Sequence, residues 1–586
     1  MDASATWTIT TLCVGMLIVI GGILALRLHA FLALTFAALV VAIMTSQSAT
    51  RNYEISKSAT EVTYTENIEY ERADLDGSLT PATNVLIGIS DKDKFPTDRE
   101  YMLIRRTGDS FEVIYPRINP MDGLGSNAGS ELPSTTLVMV AVDEPADHRP
   151  QLGDFIIEPH LYASAVKESK QTVASRVVSG FGTTAGKIGI LIAMASIIGK
   201  CLLDSGAADR IVRTALAKFG ERFAPLSFVF SGFLLGVPVF FDTVFYLMIP
   251  LGKAMQLRTG RNYLLFVLTI VAGATMAHSL VPPTPGPLVV AEELGVDIGM
   301  MILAGCCVGF FTAGFGYLYA SMFANKIWTL PLRETSDFSL KDLEELTNRK
   351  ESELPPFWLS ILPIVLPVVL IAGYSVIKAM TKAEVLTLSE PVNSVLATLG
   401  DKNIALIISA VIAMLTLIRS RSLSRKQLAD AVGSALASGG IIILITSAGG
   451  AFGKTLQATG VATLIQDLSV TSPAMIITMA WLITAAIRTA QGSATVAMMT
   501  AVGILGGLAQ SGSLPFHPVY LALAIGCGSK PIAWMNDSGF WVITRMSGMT
   551  EGEGLKYITP MTTLMGVVGL IVTIAGATLF PMVGGN

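Results

Sequence analysis

Gly199-Lys200-Cys201-Leu202-Leu203-Asp204-Ser205-Gly206-Ala207-Ala208 lies over Gly453-Lys454-Thr455-Leu456-Gln457-Ala458-Thr459-Gly460-Val461-Ala462 at an offset of 254 residues. The same register, kept without a gap, sets Pro238 over Gly492 and Pro282-Pro283-Thr284-Pro285-Gly286-Pro287 over Asn536-Asp537-Ser538-Gly539-Phe540-Trp541. Each is a place where a helix must stop or bend, since Pro removes a backbone donor and Gly is conformationally loose. One register that aligns three helix interruptions predicts a duplicated fold.

Around the interruptions the chain is apolar. Of 586 residues 52% are hydrophobic and 14% charged, against roughly 25% charged in soluble chains, so a soluble multidomain enzyme is excluded. A net charge of −4 leaves no basic surplus for nucleic acid. The five cysteines (Cys13, Cys201, Cys306, Cys307, Cys527) lie in apolar stretches without metal-ligand spacing and read as core, and neither metal nor cofactor is expected. A crossing helix needs about 20 residues. Ten are predicted: 7 to 26, 28 to 46, 183 to 203, 263 to 281, 298 to 325, 357 to 379, 403 to 418, 435 to 453, 518 to 535 and 558 to 583. The first follows Asp2 and lacks a basic n-region and a cleavage site, so it reads as a retained anchor.

Two further apolar stretches, 225 to 251 and 474 to 510, are broken at Gly236-Val237-Pro238 and at Gly492. If both enter and leave on one side, Arg27, Arg210, Arg213, Lys218, Arg222, Lys253, Arg258, Arg261, Arg333, Arg349, Arg419, Arg421, Arg425, Lys426, Arg545 and Lys556 all fall in the cytoplasm, in keeping with the positive-inside rule. Five crossings then separate each element from its partner, which turns the second copy upside down. The predicted fold is an all-α polytopic membrane protein: an inverted repeat of five transmembrane helices plus one re-entrant hairpin each, with an inserted extracytoplasmic β-rich domain. Inverted repeats with broken helices meeting near the midplane are transporter architecture.

The insertion is where the charge collects, 34 of the 84 charged residues falling in 51 to 176, 13 basic and 21 acidic. Runs Glu61 to Glu71, Val85 to Ser90 and Leu137 to Asp143 alternate like strands, and Met102 to Tyr115 reads as a hairpin. His148 and His160 read as surface residues. The domains expected are 1 to 49 (two transmembrane helices), 50 to 175 (extracytoplasmic insertion), 176 to 335 (first-repeat transport core), 336 to 356 (cytoplasmic linker) and 357 to 586 (second repeat).

Ionisable residues inside a membrane are expensive and mark function by default. Asp242 is the one charge of the first hairpin, and His278 opens the proline-rich break; both, with Asp537, are candidates for proton coupling. Freed carbonyls around Thr284, the helix start after Gln491-Gly492-Ser493 with Thr495, and the Asn536-Asp537 break complete a candidate substrate site. Helix N-termini offer N–H groups to a carboxylate, while Ser, Thr and Asn read hydroxyls. Gly236, Pro238, Pro282, Pro283, Pro285 and Pro287 serve as structural breaks. Arg488 either supplies charge to the site or pairs at an interface, and Lys200 and Lys454 read as snorkelling toward headgroups.

Leu203-Asp204-Ser205-Gly206-Ala207-Ala208-Asp209-Arg210-Ile211, Gly236-Val237-Pro238-Val239-Phe240-Phe241-Asp242, Pro282 to Pro287, Gln491-Gly492-Ser493-Ala494-Thr495-Val496-Ala497 and Asn536-Asp537-Ser538-Gly539-Phe540-Trp541 resemble the gluconate permease family of the ion-transporter superfamily. The resemblance covers about 175 to 586 well and 1 to 49 weakly. It implies proton-coupled uptake of gluconate or a related sugar acid across a bacterial inner membrane by a multi-pass protein, with a domain of hairpins and broken helices moving past a fixed scaffold. The chain departs from the family pattern at residues 50 to 175, at Asp242, where Glu is frequent, and at Lys530, where a small or apolar residue is usual. The partners expected are a small carboxylate, a proton or sodium, and the bilayer; a homodimer stays open. Alternatives are sodium coupling, another carboxylate or amino acid such as glycerate or serine, and a transporter-like sensor.

Overall fold

The computed structural model describes residues 3–26, 28–73, 79–89, 99–107, 110–118, 136–142, 151–333, 353–382, 385–460, 472–510, 514–535 and 537–582. They divide into two compact units. One comprises Met1–Thr11, Ala42–Arg176 and Gln457–Val461; the other comprises Leu12–Val41, Val177–Leu456 and Ala462–Asn586.

Two helices begin the chain, α1 (Ala3–Leu24) and α2 (Ala30–Met44). After Met44 the chain bends by 101°, because Ser46 accepts from Ala49 N at 3.1 Å and starts the polar helix α3 (Gln47–Ser58). In the smaller unit six strands follow: β1 (Thr60–Ala73), β2 (Leu79–Ile89), β3 (Tyr101–Thr107), β4 (Ser110–Ile118), β5 (Thr136–Val142) and β6 (Phe155–Ile157). Neighbours pair antiparallel in the order β4-β3-β6-β1-β2-β5. Ile104, Phe111 and Ile157 bury one face against Ile55 of α3 and Ala165 of α4 (Pro159–Ser169). Asp154 is 2% exposed and affordable there because Arg105 forks onto it at 2.7 and 2.9 Å. His160 is exposed and pairs with Glu158; His148 lies outside the described residues.

In the larger unit α5 (Val173–Asp204) leads to the amphipathic α6 (Ala207–Phe219). Next come α7 (Ala224–Gly236) and α8 (Phe241–Thr259), then α9 (Tyr263–Leu280), α10 (Pro285–Glu293) and α11 (Ile298–Leu318). The second part holds α12 (Phe357–Lys382), α13 (Glu390–Gly400), α14 (Lys402–Arg421), α15 (Arg425–Gln457), α16 (Pro473–Gln491), α17 (Ala494–Gln510), α18 (Pro518–Gly528), α19 (Ser538–Ser547) and α20 (Glu551–Leu579). The starts of α5, α7, α8, α9, α10 and α11 precede those of α15 to α20 by 249 to 255 positions.

Among the described residues eight helices are long and apolar enough to cross a membrane, or up to nine if α2 and the bent segment after it form one span. This differs from the ten crossings predicted. The expected crossing 518 to 535 is instead the 11-residue α18. The helix stops at Gly528 because Pro531 cannot continue it, and Ile532 adopts φ 53°. The expected crossing 7 to 26 falls on α1, an apolar helix of 22 residues. The first arm of the second broken stretch, Pro473–Ala490, passes the length test by itself.

α9 is buried on nearly every face. Small residues let α7 cross it at backbone contact: a Cβ on Gly232 would lie 3.2 Å from Ile270 O, and one on Gly236 3.0 Å from Ala274 O. Gly273 is tighter still, since a Cβ there would run into Val229 O and stand 2.9 Å from Phe233 N. Gly273→Ala is therefore expected to lower the thermal midpoint of the purified protein, because overpacking costs about 1–3 kcal/mol and outweighs the gain in helix propensity of up to about 1 kcal/mol. Gly314→Ala, with nothing within 4 Å of the added methyl, should leave the midpoint unchanged or raise it. Equal midpoints for Gly273→Ala and the parent would refute the close-crossing account.

Candidate functional site

Four helices begin at one cavity. The starts of α8 (Phe240 to Thr243), α10 (Pro285), α17 (Ser493 to Val496) and α19 (Asp537 to Phe540) line a space of about 460 Å³, within the usual range for small-molecule sites of about 300–1,000 Å³. Breaks in the sequence put them there. Gly236, Val237 and Pro238 end α7 before α8 begins; Pro282 and Pro283 end α9; Gly492, at φ 88°, ends α16 in the left-handed region where glycine is strain-free. Each restart leaves orphan N–H groups carrying the positive end of the helix dipole.

The restarts are not equivalent. Asp537 caps α19, accepting from Gly539 N at 2.9 Å, and Ser493 Oγ accepts from Val496 N at 3.4 Å. Pro285 and Pro287 remove two donors from the first turn of α10. The cap residue of α8, Phe240, makes no side-chain cap bond, so the N–H groups around Asp242 have no cap. The anion-facing helix start expected at Ser493 is thus partly occupied by its own side chain, whereas the start at Asp242 has no side-chain cap and no proline in its first turn.

Of the residues singled out from sequence, Asp242, His278, Ser493, Thr495 and Asp537 share the cavity. His278 sets its ring edge-on to Phe240 at 6.2 Å, with a buried Nδ1 that has no partner. Thr284 is not among the cavity residues: it is 3% exposed and its hydroxyl donates to Val281 O at 2.7 Å, closing the break on itself. Gly492 contributes its carbonyl to Arg488. Asn536 and the side chain of Gln491 lie outside the described residues. Gly236, Pro238, Pro282, Pro283, Pro285 and Pro287 are all buried at the breaks.

Arg488, 4% exposed, is tied down on three sides: Nε donates to Ser529 O at 3.0 Å, Nη1 to Gly492 O and Nη2 to Asp537 Oδ2. It joins the end of α16 to both sides of the α18–α19 break and neutralises Asp537 in place. Trp534 Nε1 donates to Thr489 O at 2.8 Å and Ile532 N donates to Thr563 Oγ1 at 3.0 Å, so the break is held as a shaped loop. Ile532 at φ 53° is strained, at a cost on the order of 1–3 kcal/mol. Among the described residues no group of three or more His, Cys, Asp and Glu is arranged to hold a metal ion.

A family model described as GntP family permease matches residues 162–579. The chain belongs to the GntP permease family. It is 33% identical over 396 residues to a gluconate permease of Pseudomonas aeruginosa PAO1, covering 67% of this chain and 85% of that one. It is 29% identical over 404 residues to the inner membrane permease YgbN of Escherichia coli K12, covering 68% and 88%. Among solved structures, MtrF of Neisseria gonorrhoeae, reported with a class of antimetabolite efflux pumps, matches with a TM-score of 0.52 at 16% identity, covering 75% of this chain and 89% of that one; at that identity the likeness speaks to fold. This GntP permease is a multi-pass inner-membrane transporter and not an enzyme.

Of the two readings open for Arg488, charge supplied to the site or pairing with a neighbour, the structure shows the pairing, with Asp537, and Lys530, singled out as a departure from the family pattern, lines the cavity. Thr446 of α15, with a fully buried hydroxyl that has no partner, carries no readable signal: nothing in its flanking sequence marks it, and it reaches the cavity through the packing of its helix.

Proposed function

We propose that this permease takes up gluconate or a related hydroxycarboxylate coupled to protons. The observation that carries the reading is the convergence of four helix starts on one cavity containing Asp242 and Asp537. Orphan N–H groups and Lys530 favour an anion, and the hydroxyls of Ser493, Thr495 and Thr446 suit a polyol. Asp537 is engaged by Arg488 and by Gly539 N. Asp242 is therefore the carboxylate that exchanges a proton, with His278 lining the same cavity. Relatives named gluconate permease support the substrate class. Sodium in place of the proton, and another small carboxylate in place of a sugar acid, are the competing outcomes.

The architecture we infer is an inverted repeat, supported by the recurrence of six helix starts at nearly constant spacing. Alternating access then moves the hairpins and broken helices against the remaining helices. The strands between residues 60 and 157 belong to an extracytoplasmic insertion, supported by their acidic excess and by the cytoplasmic placement of the basic loops.

Proteoliposomes test the coupling. An imposed inward proton gradient is expected to drive accumulation of labelled gluconate, and an equal sodium gradient at fixed pH is expected to leave it at equilibration. Accumulation that follows sodium alone would replace the proton, and competition by glycerate or serine but not by sugar acids would replace the substrate class.

A further inference from the structure

A buried ammonium needs a counter-charge, because taking it out of water costs more than packing returns. Lys530, in the break between α18 and α19, is 6% exposed and lines the cavity. Its stem runs beside Gly566 of α20, where an added Cβ would lie 3.3 Å from Lys530 Cβ. Its ammonium forms no hydrogen bond or ion pair among the described residues. The neighbouring charges are already engaged: Arg488 by two carbonyls and Asp537, and Asp537 by Arg488 and Gly539 N. The other ionisable groups facing the cavity are Asp242 and His278. Among the described residues one positive charge therefore faces the cavity without a hydrogen-bonded partner, and Thr446, whose hydroxyl is also unpartnered, lines the same cavity.

We propose that Lys530 anchors the carboxylate of the transported anion and that Thr446 reads one of its hydroxyls. This rests on the sugar-acid reading above and gives it a charge balance. In the empty cavity Arg488 is paired with Asp537, and the charges of ionised Asp242 and Lys530, which line the same cavity, cancel in sum. When a substrate carboxylate takes Lys530, Asp242 loses its compensation and binds a proton, so the loaded cavity is again neutral, the state that crosses a low-dielectric interior at least cost. One carboxylate thus travels with one proton. The match is to a monocarboxylate: one free ammonium, with no second free cation among the described residues lining the cavity, does not balance a phosphate or dicarboxylate dianion.

The test uses the full-length protein in proteoliposomes, with gluconate and its uncharged amide, gluconamide, as probes. The wild-type protein should be saturated by gluconate and competed poorly by gluconamide. In Lys530→Met the half-saturating gluconate concentration should rise at least about 30-fold, since truncating one partner of a buried charge pair costs that much or more. Its preference for gluconate over gluconamide should fall to near unity, and Lys530→Arg should keep most of that preference. Lys530→Gln provides a second neutral variant should Met fail to insert. A neutral variant that retains the wild-type preference overturns the anchor and leaves the sugar-acid reading standing. A wild-type protein that takes up no sugar acid overturns that reading and the anchor with it.

Discussion

Asp242→Asn is expected to abolish concentrative uptake while sparing exchange. Each pH unit of gradient is worth about 1.4 kcal/mol per proton, a factor of ten in accumulation, so a gradient of two units can hold roughly 100-fold inside over outside with one proton per substrate. With Asn at position 242 the cavity keeps its shape and the uncapped start of α8 but has no carboxylate there to take up and release a proton. Accumulation should then fall to simple equilibration. Counterflow of labelled against unlabelled substrate, which needs no net proton movement, should continue. Full pH-driven accumulation in the variant would remove Asp242 from the coupling role.

Arg488→Met should be strongly damaging. It strands Asp537, a half-buried carboxylate, and removes a donor from Ser529 O and from Gly492 O. Breaking one half of a buried ion pair costs about 3–5 kcal/mol. The purified variant should therefore lose much of its thermal stability, and uptake should disappear, because the α16–α17 turn and the α18–α19 break lose their common tie. Arg488→Met with Asp537→Asn should recover part of the stability, since the stranded charge is gone, but not the uptake. A double variant no more stable than Arg488→Met alone would mean that the pair does not hold the break in place.

Much of the site was legible in the chain because helix breakers act locally. Pro238, the prolines from Pro282 to Pro287, and Gly492 each end a helix through their own backbone chemistry, so their positions could be read without neighbours. A charge in an apolar run is equally conspicuous, which is why Asp242 and Asp537 stood out. Thr284 shows the limit: its hydroxyl was equally available to a ligand and to Val281 O, and the turn it sits in settles the choice. The crossing expected over 518 to 535 failed for a related reason, as hydropathy does not register that Pro531 and the strained Ile532 divide an apolar stretch.

By itself, then, the sequence determined the membrane setting, the family pattern and the places where helices stop, since each depends on composition or on one residue's backbone. The tertiary structure decided which carboxylate is free and which is committed. Asp242 and Asp537 look alike along the chain. The fold brings Arg488, 49 positions away, onto Asp537 and leaves Asp242 and Lys530 facing the same cavity. Pairing between distant residues depends on how helices pack, and no local property of the chain encodes it.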